Sequence, residues 1–560
     1  LFPLLGLVAV ALLVGLFRGP RRSPGAVLLP LAPLALAAVT LTVLFGAMGY
    51  AGQRVDVVTV VLAPLLFVIA LATGVHVLAY HRRVRALRVE RPGFGAGEAV
   101  LATYRVKAWP VLWTGLTTCA GFGSLAVAET PSVRMLGLWA AFGIAWLTLA
   151  ALSFYPALLA MAGKPAGTGG GALASLSSLG RAWAGWAVAR RRLVLGVFGA
   201  VALLAALGLP RLGTDTDVLR YFREDHPVRE GVEALEARGI GAVSASLALT
   251  FPEAGAADDP AVLRRLAALA AELRREPLVL GALSAGDLAA NVARYEAGGG
   301  PPSAAPPAGD DAFASGLARM ERDPELALLL AAFRAGDGAR TRLILFTRFR
   351  GSTELAPLYA RAEALARHAF PEAEAHVTGL YPLVLAAQRS VLRTVGLSLA
   401  LTFLVIAAIL RGLVGSASLT VRMLVPNAWP VLLVLGAMGW LRVPLDGATV
   451  MIGAVVLGLA VDDTLHTLGH FKRALRTSGG AAGARPGEAA LAALEETAPG
   501  HAATSLVLCL GFVTCTLSSL VPVAWFGALA AFGIAGALAA DLLLVPALLA
   551  GASERAVARL

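Results

Sequence analysis

Two carboxylates and two imidazoles stand inside one apolar run, Gly458-Leu-Ala-Val-Asp462-Asp463-Thr-Leu-His466-Thr-Leu-Gly-His470. A carboxylate at the centre of a membrane span costs roughly 2.5–3.5 kcal/mol on insertion scales, so such residues persist mainly when paired or at work. Two like charges in a low dielectric cannot both ionise cheaply, and such a pair is suited to take up and release a proton. Helical spacing places Asp463, His466 and His470 on one face at i, i+3 and i+7, with Asp462 reaching His466 at i+4. The chemistry this pattern would do is proton relay. A satisfied buried polar cluster is one alternative. A metal site using His466-x-x-x-His470 and an Asp is another, although the chain's eight histidines offer no second cluster to complete a shell. There is no Gly-rich phosphate loop, no HExxH and no GxSxG elbow. No cofactor and no metal are therefore expected; an ion gradient supplies the energy, with protons as the coupling ion.

The elements that must hold these residues are membrane helices. The 560 residues are 58% hydrophobic and 15% charged, against the roughly 25% charged residues of a soluble chain. Apolar runs near the 20 residues that a span needs lie at 1–17, 26–50, 57–80, 109–128, 134–161, 192–210, 391–410, 416–441, 447–471, 502–521 and 524–550, which makes eleven. The short loops alternate in charge. One side holds Arg18, Arg82, Arg105, Lys107, Arg190, Lys472 and their neighbours, 23 basic residues, and the other only Arg54, Arg134, Arg393 and Arg442. The basic side is cytoplasmic. The net charge of +11 is thus topological, and nucleic acid is excluded as a partner. Cys119, Cys509 and Cys515 sit in apolar segments as small filler.

These runs divide the chain into a first transmembrane repeat (1–162), a cytoplasmic linker with an amphipathic helix (163–191), a span (192–210), an extracytoplasmic domain (211–390), a second repeat (391–552) and a cytoplasmic tail (553–560). Stretches 163–178 and 298–311 have linker composition. Segment 177–192, with Trp183, Trp186 and a terminal Arg cluster, is expected to lie on the inner leaflet. In the outer domain, strands are expected at 244–251, 278–283, 341–349 and 373–381, and helices at 260–276, 312–334 and 353–370. The fold class is therefore an α-helical polytopic membrane protein with an α/β, ferredoxin-like extracytoplasmic domain.

Shifted by 390 residues, the chain registers on itself. Asp56 meets Asp446, His76 meets His466, Cys119-x-Gly121-Phe122 meets Cys509-x-Gly511-Phe512, and Pro156-Ala-Leu-Leu159 meets Pro546-Ala-Leu-Leu549. The repeats run the same way, related by an axis along the membrane normal. The chain opens on Leu1, and the unmatched 192–390 leads us to expect about 200 further residues before it, giving twelve spans. At the positions of the acidic pair the first half has Ala72 and Thr73; Thr73, His76 and Tyr80 repeat the i, i+3, i+7 stripe. The pseudo-twofold should aim that stripe at Asp463, His466 and His470, with His76 as a charge partner. Thr117, Thr118, Thr504 and Ser505 on the following helices are supporting candidates, and Asp541 is a weaker one.

This pattern resembles the resistance-nodulation-division superfamily, and specifically its MMPL-like, hydrophobe-exporter branch, related to Patched and sterol-sensing proteins. The likeness rests on Gly458…Asp462-Asp463, on Thr117-Thr118-x-x-Gly121-Phe122-x-Ser124-Leu125, on the Phe-Gly-Ile…Pro-Ala-Leu-Leu endings, and on Thr214-Asp-Thr-Asp217 and Thr378-Gly379. It implies a secondary active transporter, not an enzyme: a proton-driven exporter of lipids or other hydrophobic molecules, in the bacterial cytoplasmic membrane. The outer domain would be porter-like. A homo-oligomer or a periplasmic partner stays open, as do a non-transporting lipid or sterol receptor of the same fold and a metal-dependent membrane enzyme. Some relatives carry acids in both halves; here Ala72 and Thr73 leave the first half uncharged.

Overall fold

The computed structural model describes residues 6–11, 13, 24–56, 58–88, 95–161, 172–215, 217–298, 309–388, 391–446, 449–477 and 486–552. Most of the expected first span, the tail and much of both linkers lie outside these residues. The chain forms two compact units, one of Leu1–Gly213 with Ser390–Leu560 and the other of Thr214–Arg389.

In the first unit the described helices are α1 (Pro24–Tyr50), α2 (Leu62–Arg88), α3 (Ala96–Gly123), α4 (Pro131–Leu152, continued by Phe154–Met161), α5 (Ala172–Ala189), α6 (Arg191–Gly208), α7 (Val391–Val414), α8 (Ala417–Leu441), α9 (Ile452–Thr477), α10 (Pro486–Thr514) and α11 (Val521–Ala539). All but α5 are long and apolar enough to cross a membrane, ten among the described residues. Their burial identifies the centre: 83% of the α2 and α9 spans is buried, against 22% for α6. Helix α5 has the expected two faces. Ala184 and Ala187 are buried, Trp183 and Trp186 are exposed, and Gly180 lets the helix approach Ala498 of α10.

The 390-residue repeat extends to individual bonds. Before α2, Thr59 Oγ1 donates to Asp56 Oδ1 (2.9 Å) and the Thr59 N–H to the same oxygen (2.7 Å). Before α9, Thr449 does both to Asp446 Oδ1, at 3.0 and 2.8 Å. Cys119 Sγ meets the Ala141 carbonyl at 3.3 Å and Cys509 Sγ that of Ala531 at 3.4 Å. Gly137 and Gly527 each press on the turn ending the preceding helix, where a Cβ would come within 2.6 Å of the Phe122 carbonyl or 2.3 Å of the Phe512 carbonyl. Chance likeness between Ala/Leu-rich helices would not reproduce these pairs.

In the second unit, β1 (Val243–Thr250), β2 (Val279–Leu283), β3 (Arg340–Thr347) and β4 (Glu374–Thr378) form one sheet of order β2-β3-β1-β4, every neighbour antiparallel. Strands β1 and β3 pair along their full length, Val243 with Thr347 through Thr250 with Arg340. Inward residues alternate along β1 as Ala245, Leu247 and Leu249, and they bury against Leu263 and Leu266 of Pro260–Leu273 and Leu355 and Leu358 of Ser352–Ala369.

Three expectations here change. The 312–334 helix is two, Asp310–Arg322 and Pro324–Ala331, because Pro324 cannot extend the first helix and Asp323 caps the second. The last strand stops at Thr378; Gly379 turns at φ +128° and Tyr381 belongs to the helix Leu380–Gln388. An unanticipated helix, Ala285–Glu296, is opened by a capping box of Ser284 and Asp287.

Candidate functional site

The acidic pair sits on α9, packed between α3 and α10, and faces α2. Small residues set this closeness: Gly458 of α9 lies against Thr118 of α3, and Gly511 of α10 against Val68 of α2. Thr118 Oγ1 donates across the first contact to the Gly458 carbonyl (3.2 Å) and also lies 2.8 Å from the Thr114 carbonyl.

Asp462 receives a hydrogen bond from Thr114 Oγ1 of α3 (2.8 Å). Its carboxylate stands 3.3 Å from His466 Nε2 and 3.8 Å from His76 Nε2. Asp463 Oδ1 lies 3.3 Å from His76 Nε2 and 3.6 Å from His501 Nε2 of α10. Neither contact to Asp463 has hydrogen-bond geometry, and both His501 nitrogens lack a hydrogen-bond partner, so these are ion-pair distances whose strength depends on protonation. His76 and His466, equivalent in the repeat, stack with ring centroids 4.8 Å apart. Lys107 Nζ of α3 closes one flank, 3.5 Å from His466 Nδ1 and 5.3 Å above the Tyr80 ring. Asp463, Lys107 and the three histidines are all buried. A small cavity beside them has a polar wall of Thr73, His76, Thr114, Thr118, Asp462 and His466.

The sequence-derived residues divide accordingly. Asp462, Asp463, His76 and His466 meet directly. Thr73 lines the cavity while donating to its own helix at the Ile69 carbonyl (3.0 Å). His470 lies further along α9 toward its C-terminal end, bonded to Glu496 Oε2 (2.5 Å), with Tyr80 edge-on at 6.4 Å between ring centroids. Thr117 and Thr504 bond carbonyls of their own helices, at Thr114 and Gly500, and Ser505 is buried with no contact to the acids given by the structure. Of the expected supporting residues, Thr118 is the one given a hydrogen bond to α9, at the Gly458 carbonyl; Thr114, which sequence reasoning missed, bonds Asp462 directly.

Lys107 and His501 were also missed. Lys107 was counted among the cytoplasmic loop charges, but it lies inside α3 and is buried. Its position in the sequence, two residues after Arg105 and ahead of Trp109-Pro110, looks like a loop end. His501 was legible as the residue shifted by 390 from Val111, an apolar-to-imidazole exchange on the helix facing α2. The ligand atoms of His76, Asp462 and His466 lie within 4.8 Å of one another, so these three are also the residues that would hold a metal ion. The Lys107 ammonium beside His466 opposes a dication there.

Two parallel helical repeats meeting at a buried cluster of acids and imidazoles define a class: multi-pass proteins of the cytoplasmic membrane built by internal duplication. The chain belongs to the MMPL family, whose model matches residues 3–192 and 246–559. It is similar to the heme uptake protein MmpL11 of Mycobacterium tuberculosis, 25% identical over 257 residues, covering 44% of this chain and 26% of that protein. It is also similar to the mycolic acid-containing lipids exporter MmpL11 of Mycolicibacterium smegmatis, 28% identical over 225 residues (38% and 23%). A putative membrane protein of Methanocaldococcus jannaschii is 34% identical over 114 residues (20% and 28%). The matched stretch is about a quarter of the length of these relatives.

Proposed function

We propose that this chain is a proton-motive-force-driven exporter of lipids or other hydrophobic molecules, in which Asp462, Asp463, His76 and His466, with Lys107 and His501, carry the proton. The observation that supports this most is the convergence of two carboxylates, three imidazoles and an ammonium on one buried point between the repeats. Histidine exchanges protons near neutral pH, and each carboxylate has an imidazole within 3.3 Å. A proton arriving at Asp463 weakens its hold on His76 and His501, and thereby on α2 and α10. Loss of that proton restores it. The two packings of the repeats alternate with the charge of the cluster. Tyr80, Glu496 and His470 form the route to the cytoplasmic face.

Related proteins named for lipid export and heme uptake act on hydrophobic molecules, which supports the same class here. We read the outer unit as a ferredoxin-like, porter-type domain, a reading supported by its antiparallel order β2-β3-β1-β4 with helices crossing between β1 and β2 and between β3 and β4. The test is reconstitution into liposomes with a lipid bearing a fluorescent acyl chain and an imposed pH gradient. Gradient-dependent movement of the lipid, lost in the Asp462→Asn, Asp463→Asn double variant, supports the proposal. Undiminished uphill transport by that variant overturns it, and binding without any gradient dependence makes the protein a receptor.

A further inference from the structure

Asp541 is hydrogen-bonded to Thr464 rather than to the cluster above, although the charges of Asp462 and Asp463 reach it. It lies in a π-helical turn, Ala540–Leu544, directly after α11, and it is buried, with only 2% of its surface exposed. Single π turns inside α-helices are frequent at functional sites. Thr464 Oγ1 of α9 lies 3.1 Å from Asp541 Oδ1, 3.3 Å from Asn427 Oδ1 of α8 and 3.5 Å from the Ala460 carbonyl. The Asn427 amide nitrogen is engaged elsewhere, donating to the Met423 carbonyl (2.6 Å), so its oxygen is the atom turned to this site. Asn427 and Thr464 are fully buried.

With the Asp541 carboxyl ionised, the one hydroxyl proton of Thr464 faces three acceptor oxygens, and no Lys, Arg or His is paired to that carboxylate among the described residues. An unpaired carboxylate in hydrocarbon is costly, so the site needs one positive charge. A single carboxylate among neutral oxygens balances a monovalent ion. Oxygen-only ligand sets suit hard cations, whereas the cluster around Asp462 and Asp463 is rich in nitrogen and suits protons. Thr464 is two residues from both Asp462 and His466, roughly the opposite side of α9 at 3.6 residues per turn, and next to Asp463 in the chain; the two sites share a helix without sharing a ligand.

We propose that Asp541, Asn427 and Thr464 form an oxygen-lined site for a monovalent cation of the sodium class, on the far face of α9 from the histidine cluster. Binding there ties α8, α9 and the end of α11 together. The proposal is independent of export and is tested on purified protein in detergent. Thermal unfolding is followed in NaCl and in choline chloride at equal ionic strength, with radioactive sodium binding measured in parallel. A saturable upward shift of Tm in NaCl is expected, together with one sodium bound per chain. Both should vanish in Asp541→Asn and in Thr464→Val, and both should persist in Asp463→Asn. Identical Tm values in the two salts, or a sodium shift that survives Asp541→Asn, would overturn it and leave Asp541 holding a proton only. A shift lost in Asp463→Asn would overturn the separateness of the two sites. Thr464→Val, which keeps the carboxyl, serves if Asp541→Asn fails to fold.

Discussion

Removing a charge and removing its partner should have opposite consequences at the acidic pair. In Asp463→Asn the side chain keeps its shape, so His76 and His501, at 3.3 and 3.6 Å from the replaced oxygen, keep their packing. What is lost is an ionised group whose burial costs several kcal/mol before its partners offset it. The variant is expected to unfold at the wild-type temperature or above. In His76→Ala the imidazole that touches both carboxylates disappears, leaving Asp463 with His501 and Asp462 with His466; loss of one partner of a buried charge costs up to about 3–5 kcal/mol. Function should follow the reverse order. One charge crossing 100 mV gains about 2.3 kcal/mol, which at roughly 1.36 kcal/mol per decade is a concentration ratio of about 50. Liposomes holding wild-type protein at that potential should approach such a ratio for a fluorescent acyl lipid if one charge moves per molecule. Asp463→Asn should stay near unity, and His76→Ala should transport weakly with a displaced pH profile. The reasoning fails if Asp463→Asn accumulates lipid more than a few-fold, or if it unfolds well below wild type while His76→Ala does not.

Three further outcomes follow from single contacts. Gly527→Ala places a Cβ 2.3 Å from the Phe512 carbonyl, and Gly137→Ala one 2.6 Å from that of Phe122; each should lower stability by about 1–3 kcal/mol, and an unchanged Tm in either would contradict the packing described. At Asp56, burial alone would raise the carboxyl, but hydrogen bonds from Ser132, Thr59 and Val58 outweigh it and hold the group below its ordinary value. A lowered acid stabilises the fold above its unfolded value and loses that contribution as pH falls through the folded one. The Tm deficit of Asp56→Asn should thus be full at neutral pH and close below about pH 4, whereas a deficit that grows on acidification would reverse the sign. Cysteines introduced at Arg181 and Tyr295 should react with an impermeant reagent from the inside only and from the outside only, respectively; reaction of both from outside would overturn the orientation read from loop charge.

Much of this architecture was readable because hydrocarbon leaves a chain few choices. Apolar runs give helices, and the constant offset of 390 makes His76 the counterpart of His466, on which it stacks. What escaped were features set by tertiary approach. Lys107 reads as a loop cation by its neighbours, and only the packing of α3 on α9 brings its ammonium to His466. His501 gives no local signal, since a single imidazole in an apolar helix is ordinary until α10 is laid against Asp463. Thr117 and Thr118 are indistinguishable in sequence, yet rotation by one residue leaves Thr117 bonded within its own helix and carries Thr118 across to Gly458. In the second unit, alternation found the strands, while the break at Asp323-Pro324 was a legible stop signal that the long apolar pattern masked.

The duplication also explains why the first half can lack carboxylates without leaving a gap. A pseudo-twofold brings equivalent positions face to face, so a site at the axis needs each chemical type only once. The second repeat supplies Asp462 and Asp463; the first supplies His76 from α2 and Lys107 from α3, and the α10 position matching Val111 supplies His501. Had both halves kept acids, four carboxylates would share one buried volume, and like charges there repel strongly. Placing a cation against each acid instead makes the two repeats complementary where they were once identical. A scaffold of that kind is held in one packing while the cluster is ionised and is free to take another when one acid is protonated. Ala72 and Thr73 are then not a defect of the first half: Thr73 lines the same cavity as His76, Asp462 and His466, and His76 is the group that reaches both carboxylates.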